Sequence, residues 1–507
     1  MVSLQTQKLA AFLRSKGAVI HEDLEFFARR PSGVRGVFAV APIQRGELLL
    51  SLPRKAVLTA CEEGMCEWMP EEARDASPIL RTALYLLRES SLGTASDWAP
   101  YLATLPAEYD TLEHWTQEEL AALVGTSVHD ELKGLRDPRT GDLLGPARVL
   151  WERSIAPLVM SAPQHWPDAS LDAFLHACAT VRTRGFYDAA AGGGGPYLLP
   201  AIDMFNHACH GTATSLTVER AASSMASAVR GSWARNSLVF SMEAERDITA
   251  GEELTHMYDH FDDAQLLVTY GFISNRDEGA LPTTARLTLT AVADAVALVR
   301  DGRGSSCGLG LSWNAAEGWA EKLAACERLL APHGGKVGVS LAEPLPDELL
   351  TAVLLLLLPC EEFDELLVSE DGKVPLLDST AIHGEPELAS AVARALLSAV
   401  HTAEQRYADE SPTMTTGATT ECCAERRTAA TATTEHQRYE RCVARERRLT
   451  MATTLRDAEL AALHGTRAAA LGLLVSAGLS EGSEEEDGGL EGEEEGGAGT
   501  MKRQRSC

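Results

Sequence analysis

Apolar and polar positions along the chain change their period several times, and these changes divide the chain into helical and strand-rich stretches. Over residues 1–24, Leu4, Leu9, Phe12 and Leu13 are spaced to fall on one face of a helix. This spacing predicts an amphipathic N-terminal helix.

Strand-like patterning follows that helix. Gly33–Ala41 alternates in character, Pro42 and Gly46 indicate a turn, and Leu48–Leu52 predicts a further strand. Helical periods return over residues 62–180.

A second strand-and-turn stretch covers residues 181–258, with strands predicted at Asn236–Glu243 and Glu253–Tyr258. From Leu266 onward the pattern is helical. The predicted helices there are 288–300, 315–331, 346–358, 386–407 and 437–464.

One short motif occurs twice. Ile43-x-x-Gly46-Glu47-x-Leu49 recurs as Ile248-x-x-Gly251-Glu252-x-Leu254. Each copy predicts a tight turn at glycine followed by a strand. Two unrelated hairpin turns would fit the same pattern.

Composition places the chain among globular proteins of more than one domain. It has 507 residues, of which 45% are hydrophobic and 23% charged, which excludes wholesale disorder and a small disulfide scaffold. The net charge of −28 argues against binding nucleic acid through its phosphates.

Two segments differ from the rest in composition. A Thr/Ala-rich stretch at 408–435 is interpreted as a low-complexity insertion. Residues 480–507 are predicted to be a disordered acidic tail, since residues 481–497 hold nine acidic side chains and no basic one. The tail is either a solvated extension or a docking arm for a basic partner.

Cysteine usage and the N-terminal sequence bear on the compartment. The 11 cysteines include no CxxC pair, which indicates reduced thiols inside a cell. Residues 1–24 lack a continuous apolar segment or the composition of a transit peptide, and the apolar run Leu349–Cys360 is too short for a membrane helix. We expect a cytoplasmic or nuclear protein, and a chloroplast location stays open.

Three separated segments combine into a more specific signature. The first is Arg35-Gly-Val-Phe-Ala39, and the second is Arg184-Gly-Phe186 followed by Asp203-Met-Phe-Asn206-His207. The third is Gly251-Glu-Glu-Leu-Thr-His-Met-Tyr258, followed by Tyr270-Gly-Phe272. In order and residues they resemble a SET domain, in the subfamily typified by the Rubisco large-subunit lysine methyltransferase, and the likeness covers roughly residues 1–470.

This resemblance implies an α+β fold. A β-rich SET domain over 25–275, split by a helical insert at about 62–180, would follow the N-terminal helix. An all-α substrate-binding domain of the Rubisco-methyltransferase type would occupy 280–470.

The resemblance also implies an enzyme that transfers methyl groups from S-adenosylmethionine to a lysine of a non-histone protein. Methylation of a protein histidine is the alternative within the fold, and an inactive SET-like adaptor is a second alternative. The expected partner is a lysine-bearing protein substrate, with no nucleic acid or membrane, and the chain is expected to be a monomer.

The resemblance assigns cofactor contacts to three parts of the chain. It implies that the backbone of Arg35, Gly36 and Val37 lies beside the cofactor, where glycine permits close approach. It places the Arg184 guanidinium at the cofactor carboxylate, with Arg182 as a competitor for that role. Asn206 and His207 would complete the cofactor site.

For the acceptor side, Tyr258 aligns with the catalytic tyrosine of the family. Tyr270 would line the lysine channel, and Asp203 would face the substrate or hold the site together. We expect no metal, because His207, Cys209 and His210 are crowded and no second cluster completes a tetrahedral site.

Overall fold

A computed structural model gives the fold over most of the chain. It describes residues 2–30, 33–61, 66–132, 146–187, 194–220, 238–274, 283–300, 318–366, 374–377, 379–382, 384–409 and 432–478. The acidic tail and the greater part of the Thr/Ala-rich insertion lie outside the described residues. No described helix is long and apolar enough to cross a membrane.

The N-terminal helix is shorter than its predicted range. Helix α1 covers Leu4–Ser15, and the Ser3 side chain caps it by accepting from the backbone N–H of Thr6. Gly17 then adopts a φ of 81°, a left-handed conformation that ends the helix. The rest of the predicted helical segment forms two short strands, β1 (Val19–Ile20) and β2 (Leu24–Glu25).

The main sheet contains β1, β2 and six further strands of the described residues, which are β3 (Val37–Ala39), β4 (Leu48–Pro53), β7 (Asn206–His207), β8 (Thr214–Arg220), β9 (Leu238–Ala244) and β10 (Glu253–His256). Their order is β1-β4-β9-β8-β10-β3-β2, with β7 paired to β10. A separate pair of strands, β5 (Gly185–Phe186) and β6 (Tyr197–Leu198), lies between the helical insert and β7.

Strand β10 brings distant parts of the sequence together. It pairs antiparallel with β3, where Leu254 lies opposite Val37. It pairs parallel with β7, where Thr255 lies opposite Asn206 and His256 opposite His207. The three signature segments therefore meet at one strand.

The two copies of the repeated turn motif contact each other. Ile43 and Ile248 exchange two backbone hydrogen bonds of 3.0 and 2.9 Å, and both side chains are buried. Gly46 and Gly251 both have a φ of 84°. The sequence repeat thus corresponds to two similar turns that pair across the sheet.

Between β4 and β5 the chain forms a helical layer around a core that includes Tyr101, Trp166 and Phe174. These helices are α2 (Glu71–Arg74), α3 (Pro78–Leu92), α4 (Ala99–Leu102), α5 (Gln117–Ala121), α6 (Ser127–Leu132), α7 (Pro146–Leu150), α8 (Ala156–Ser161) and α9 (Leu171–Arg184). A capping box formed by Thr116 and Glu119 opens α5.

The C-terminal part is helical, as expected, with one addition. Strands β11 (Ala285–Thr288) and β12 (Lys336–Val339) form a small antiparallel sheet beside the helices. The helices, which follow α10 (Asp263–Tyr270), are α11 (Leu289–Arg300), α12 (Trp319–Leu330), α13 (Asp347–Leu357), α14 (Cys360–Leu366), α15 (Pro386–Asp409) and α16 (Ala432–Ser476). The mixed α+β fold is confirmed.

Helix α16 joins the C-terminal part to the insert. Met451, Ala452 and Leu455 share one buried cluster with insert residues such as Trp115 and Leu123. Buried hydrogen bonds accompany this apolar contact. The insert and the C-terminal part therefore pack as one continuous structure.

Glu459 of α16 is fully buried at this contact. Its carboxylate accepts from the Ser127 backbone N–H at 3.2 Å and from the Tyr407 hydroxyl at 2.7 Å. Burial raises the pKa of Glu459 to about 7, although these hydrogen bonds oppose the rise.

Gly125 of the insert lies close to the backbone of α15. Its φ is 88°, and a Cβ on it would lie 2.8 Å from the Arg406 carbonyl oxygen. We predict that Gly125→Ala lowers the free energy of unfolding by about 1–3 kcal/mol more than Gly46→Ala does. Gly46 is the matched control, because it has a similar φ but no atom of the described residues within 4 Å of that position. Equal losses in chemical denaturation would contradict the prediction.

The buried carboxyl of Glu459 gives a prediction about pH. Since the folded chain holds this proton up to about pH 7 and an ordinary glutamate loses it near 4.5, folding binds the proton in this interval. The contribution of Glu459 to the free energy of unfolding therefore falls as pH rises from about 5 to 7, and it does not change further above pH 7.

We predict that Glu459→Gln, which cannot ionise, gains stability relative to wild type across that window by up to about 3 kcal/mol. Denaturation curves at several pH values measure the difference, with the exposed Glu118→Gln as control. Parallel curves for wild type and Glu459→Gln would refute the prediction.

Candidate active site

Tyr258 lies just beyond β10 and is held at both ends by the segment that contains Asn206 and His207. Its hydroxyl donates to the Phe205 carbonyl oxygen at 2.8 Å. Its backbone N–H donates to His207 Nδ1 at 3.2 Å. The phenol is thereby fixed in one direction.

Two cavities meet at this tyrosine. The first, which we call the Asn206 cavity, has a volume of about 310 Å³ and is lined by Arg30, Val34, Asn206, His207, Ala208, Cys209, Tyr258, Phe272, Ile273 and Ser274. The second, the Arg184 cavity, has a volume of about 330 Å³ and is lined by Thr183, Arg184, Gly185, Phe186, Tyr187, Asp203, Phe205, Leu216, His256, Tyr258, Asp259, Phe261 and Tyr270. Tyr258 is the residue that lines both.

The Asn206 carboxamide is bound by two acceptors. Its Nδ2 donates to the Arg35 carbonyl oxygen at 2.8 Å and to Glu253 Oε1 at 2.7 Å. The other carboxylate oxygen of Glu253 forms an ion pair with Arg30. Asn206 is therefore tied to the start of the sheet and to β10 at once.

His207 is neutral at physiological pH. Burial, with a smaller contribution from His256, lowers the pKa of His207. Because Nδ1 accepts from Tyr258, the proton is assigned to Nε2, which lies 3.3 Å from the Cys209 sulfur. The ring lines the Asn206 cavity and holds the backbone of Tyr258 through Nδ1.

The Arg184 cavity contains a buried ion pair. Arg184 Nη1 donates to the Asp203 carbonyl oxygen at 2.7 Å and lies 3.4 Å from Asp203 Oδ2. Oδ2 also accepts from the Tyr101 hydroxyl at 2.9 Å. Arg184 Nε and Asp203 Oδ1 are buried and have no hydrogen-bond partner in the described part of the chain.

Burial and the opposite charge of the partner shift the pKa values of both Arg184 and Asp203. Burial alone would lower the pKa of Arg184, but Asp203 and the nearby tyrosines outweigh it and raise the pKa above its usual value. Burial raises the pKa of Asp203, while Arg184 and the Tyr101 hydrogen bond oppose the rise.

Aromatic rings form the wall beside Tyr258. The ring centroids of Tyr258 and Tyr270 are 4.8 Å apart, and those of Phe261 and Tyr270 are 6.0 Å apart. Burial raises the pKa of Tyr270 to about 12 and that of Tyr258 further. Both phenols therefore stay protonated at neutral pH.

The structure separates the sequence-predicted residues into two groups. Asn206 and His207 line the first cavity, whereas Arg35, Gly36 and Val37 are not among its lining residues. The Arg35 carbonyl oxygen accepts from Asn206, and Val37 is fully buried in β3. Arg184, Asp203 and Tyr270 line the second cavity. Their predicted ligand contacts stay predictions.

The competitor Arg182 is placed elsewhere, because it forms an ion pair with Glu113. Among the described residues, no group of three His, Cys, Asp or Glu side chains could hold a metal ion.

Sequence reasoning missed three residues of the site. Glu253 lies inside a recognised motif and could have been assigned as a partner of Asn206. Arg30 and Tyr101 had no such signal, since each reaches the site from a segment without a motif. Tyr101 is 102 positions from the Asp203 carboxylate that it binds.

Comparison with known proteins bears on the family and the fold. Residues 34–259 match the family model described as the SET domain. The chloroplastic fructose-bisphosphate aldolase lysine N-methyltransferase of Arabidopsis thaliana is 27% identical over 271 residues, which are 52% of this chain and 51% of that protein. The chloroplastic Rubisco large-subunit N-methyltransferase of Pisum sativum is 25% identical over 256 residues, which are 50% of this chain and 48% of that protein.

A solved structure extends the likeness to the whole fold. The crystal structure of the SET domain of LSMT bound to lysine and AdoHcy has a TM-score of 0.57 at 18% identity, and the match covers 93% of this chain and 92% of that chain.

Residues 34–259 are therefore a SET domain. Within that class the chain is similar to the Rubisco and aldolase methyltransferases and shares the fold of LSMT. It spans about half the length of these two relatives in sequence.

The Tyr101 hydroxyl gives a prediction about the buried ion pair. We expect Tyr101→Phe to lower the free energy of unfolding by about 1–3 kcal/mol, because a buried carboxylate loses its hydrogen bond. Tyr187→Phe is the control, since Tyr187 lines the same cavity but is 56% exposed, and it should leave stability unchanged. Equal stability of the two variants would contradict the assigned role of the Tyr101 hydroxyl.

Proposed function

We propose that this protein transfers methyl groups from S-adenosylmethionine to a lysine side chain of a non-histone protein. The observation that supports this most strongly is that Tyr258 forms the common wall of two cavities. A methyl transfer needs its donor and acceptor on a line, and two cavities that meet at one fixed group suit two reactants that enter separately.

The residues around the first cavity fit the proposed cofactor. S-adenosylmethionine supplies an electrophilic methyl group on a sulfonium sulfur. Asn206 and His207, supported by the backbone of Arg35–Val37, would hold it, and the volume of about 310 Å³ is within the range of small-molecule sites. Arg184 lines the second cavity and not this one. Its predicted contact with the cofactor carboxylate stays a prediction, although its Nε is a buried donor without a partner among the described residues.

Tyr258 would orient the acceptor without acting as a base. Its raised pKa keeps the phenol protonated, and its proton is donated to the Phe205 carbonyl oxygen. The phenol oxygen is then an acceptor for an N–H of the incoming amine. This hydrogen bond would direct the nitrogen lone pair toward the first cavity.

The second cavity has features expected of a lysine channel. Tyr270 and Phe261 supply aromatic faces for the methylene chain and for a methylated ammonium product. Asp203 Oδ1 is a buried acceptor without a described partner. These features support Asp203 and Tyr270 as substrate-binding residues.

The relatives support the reaction class, while the substrate of this chain is part of the proposal. Two relatives are named for lysine methylation of aldolase and for methylation of Rubisco, and both are described as chloroplastic. We propose a protein substrate that contacts the SET domain at 25–275 and the helical part at 280–470. A monomer in the cytoplasm or nucleus remains our expectation.

A direct test uses purified full-length protein, labelled S-adenosylmethionine and a cell extract. We expect wild type to label protein, and Tyr258→Phe and Asn206→Ala to lose about 100-fold or more of this activity, since positioning and binding both act on the transition state. Glu118→Gln, at an exposed side chain that lines neither cavity, should label protein at a rate close to wild type.

Mass spectrometry of the labelled residue identifies the acceptor. A methylated lysine supports the proposal, whereas a methylated histidine establishes the alternative acceptor. If the wild-type protein binds S-adenosylhomocysteine but labels no protein, the result favours an inactive SET-like adaptor over an enzyme.

A further inference from the structure

Glu253 lies at the first position of β10 and holds two groups with its two carboxylate oxygens. Oε1 accepts from Asn206 Nδ2 at 2.7 Å, and Oε2 is paired with Arg30. The side chain is 11% exposed, so these bonds are largely shielded from water. Arg30 and Asn206 both line the first cavity.

The bonds to Asn206 determine which way its carboxamide points. Nδ2 has two hydrogens, and one binds Glu253 while the other binds the Arg35 carbonyl oxygen. A flipped amide would set Oδ1 against two acceptors, which is unfavourable. Oδ1 is therefore the atom of the carboxamide left to bind a ligand.

Gly36 permits this arrangement. A Cβ at Gly36 would collide with the Glu253 carboxyl group and would lie 3.0 Å from Asn206 Nδ2. A residue with a side chain would displace the carboxylate. The glycine of the first signature segment thus makes room for the Glu253 carboxylate.

We propose that Glu253 is a positioning residue, which orients the Asn206 carboxamide so that Oδ1 presents a hydrogen-bond acceptor to the ligand of the Asn206 cavity. An acceptor at this point suits a donor group, and the amino group of the cofactor's methionine part is a donor of that kind. This inference rests on the proposed function, because that function supplies the ligand.

The neighbouring glutamate of the same motif provides a matched control. The Glu252 carboxylate accepts from the Thr249 backbone N–H at 3.0 Å and from its hydroxyl at 2.9 Å. It also pairs with Arg246, which is partly exposed. Glu252 thus supports its own turn and has no described bond to Asn206.

The experiment measures the Kd of S-adenosylhomocysteine by calorimetry, with melting temperatures recorded for every protein. We expect Glu253→Ala to weaken binding about tenfold or more, the size of effect expected when a charged hydrogen-bond partner is lost. Glu253→Gln keeps an oxygen that can accept from Asn206 and should bind within about threefold of wild type. Glu252→Ala should bind like wild type.

The same measurements in an Asn206→Ala background close a double-mutant cycle. If Glu253 acts through Asn206, then Glu253→Ala causes almost no further loss of affinity there. A full additional loss in that background, or wild-type affinity of the single Glu253→Ala variant, would overturn the positioning role while leaving the proposed function intact. Wild type that does not bind S-adenosylhomocysteine would overturn both.

Discussion

The pairing of β10 on both of its edges is the constraint on which the site depends. Leu254 lies opposite Val37 on one side, and Thr255 lies opposite Asn206 on the other. Because side chains alternate along a strand, a slip of one residue would turn every one of them to the opposite face. The register of this strand therefore determines where Glu253 meets Asn206 and where Tyr258 emerges.

Charge is balanced locally around the site. Arg30 pairs with Glu253 at the Asn206 cavity, and Arg184 pairs with Asp203 at the other. Between these pairs, Tyr258 remains an uncharged phenol because burial raises its pKa. The net charge of −28 is thus a property of the chain as a whole, whereas each cavity has its own paired ions.

Much of the fold class and the core of the site could be predicted, because glycine turns, the Asn-His pair and the strand patterns are local features. Contacts made by residues that are distant in sequence from these features could not be predicted. Tyr101 reaches Asp203 from the insert, and no spacing in the sequence relates them. The assignment of Arg184 to the cavity opposite Asn206 depends on side-chain direction, which a motif does not encode. Strands β11 and β12 are four residues each and, unlike the equally short β10, lie outside any recognised motif.

The bonded pair Ile43 and Ile248 closes a loop of roughly two hundred residues that contains the whole helical insert. When the unfolded chain brings these two residues together, each doubling of the intervening length adds only about 0.6 kcal/mol of closure entropy. The sheet can therefore tolerate a great change in the size of what lies between the two turns. Evolution could enlarge or reshape the insert, and with it the surface presented to a partner, while the strands that carry the chemistry keep their register.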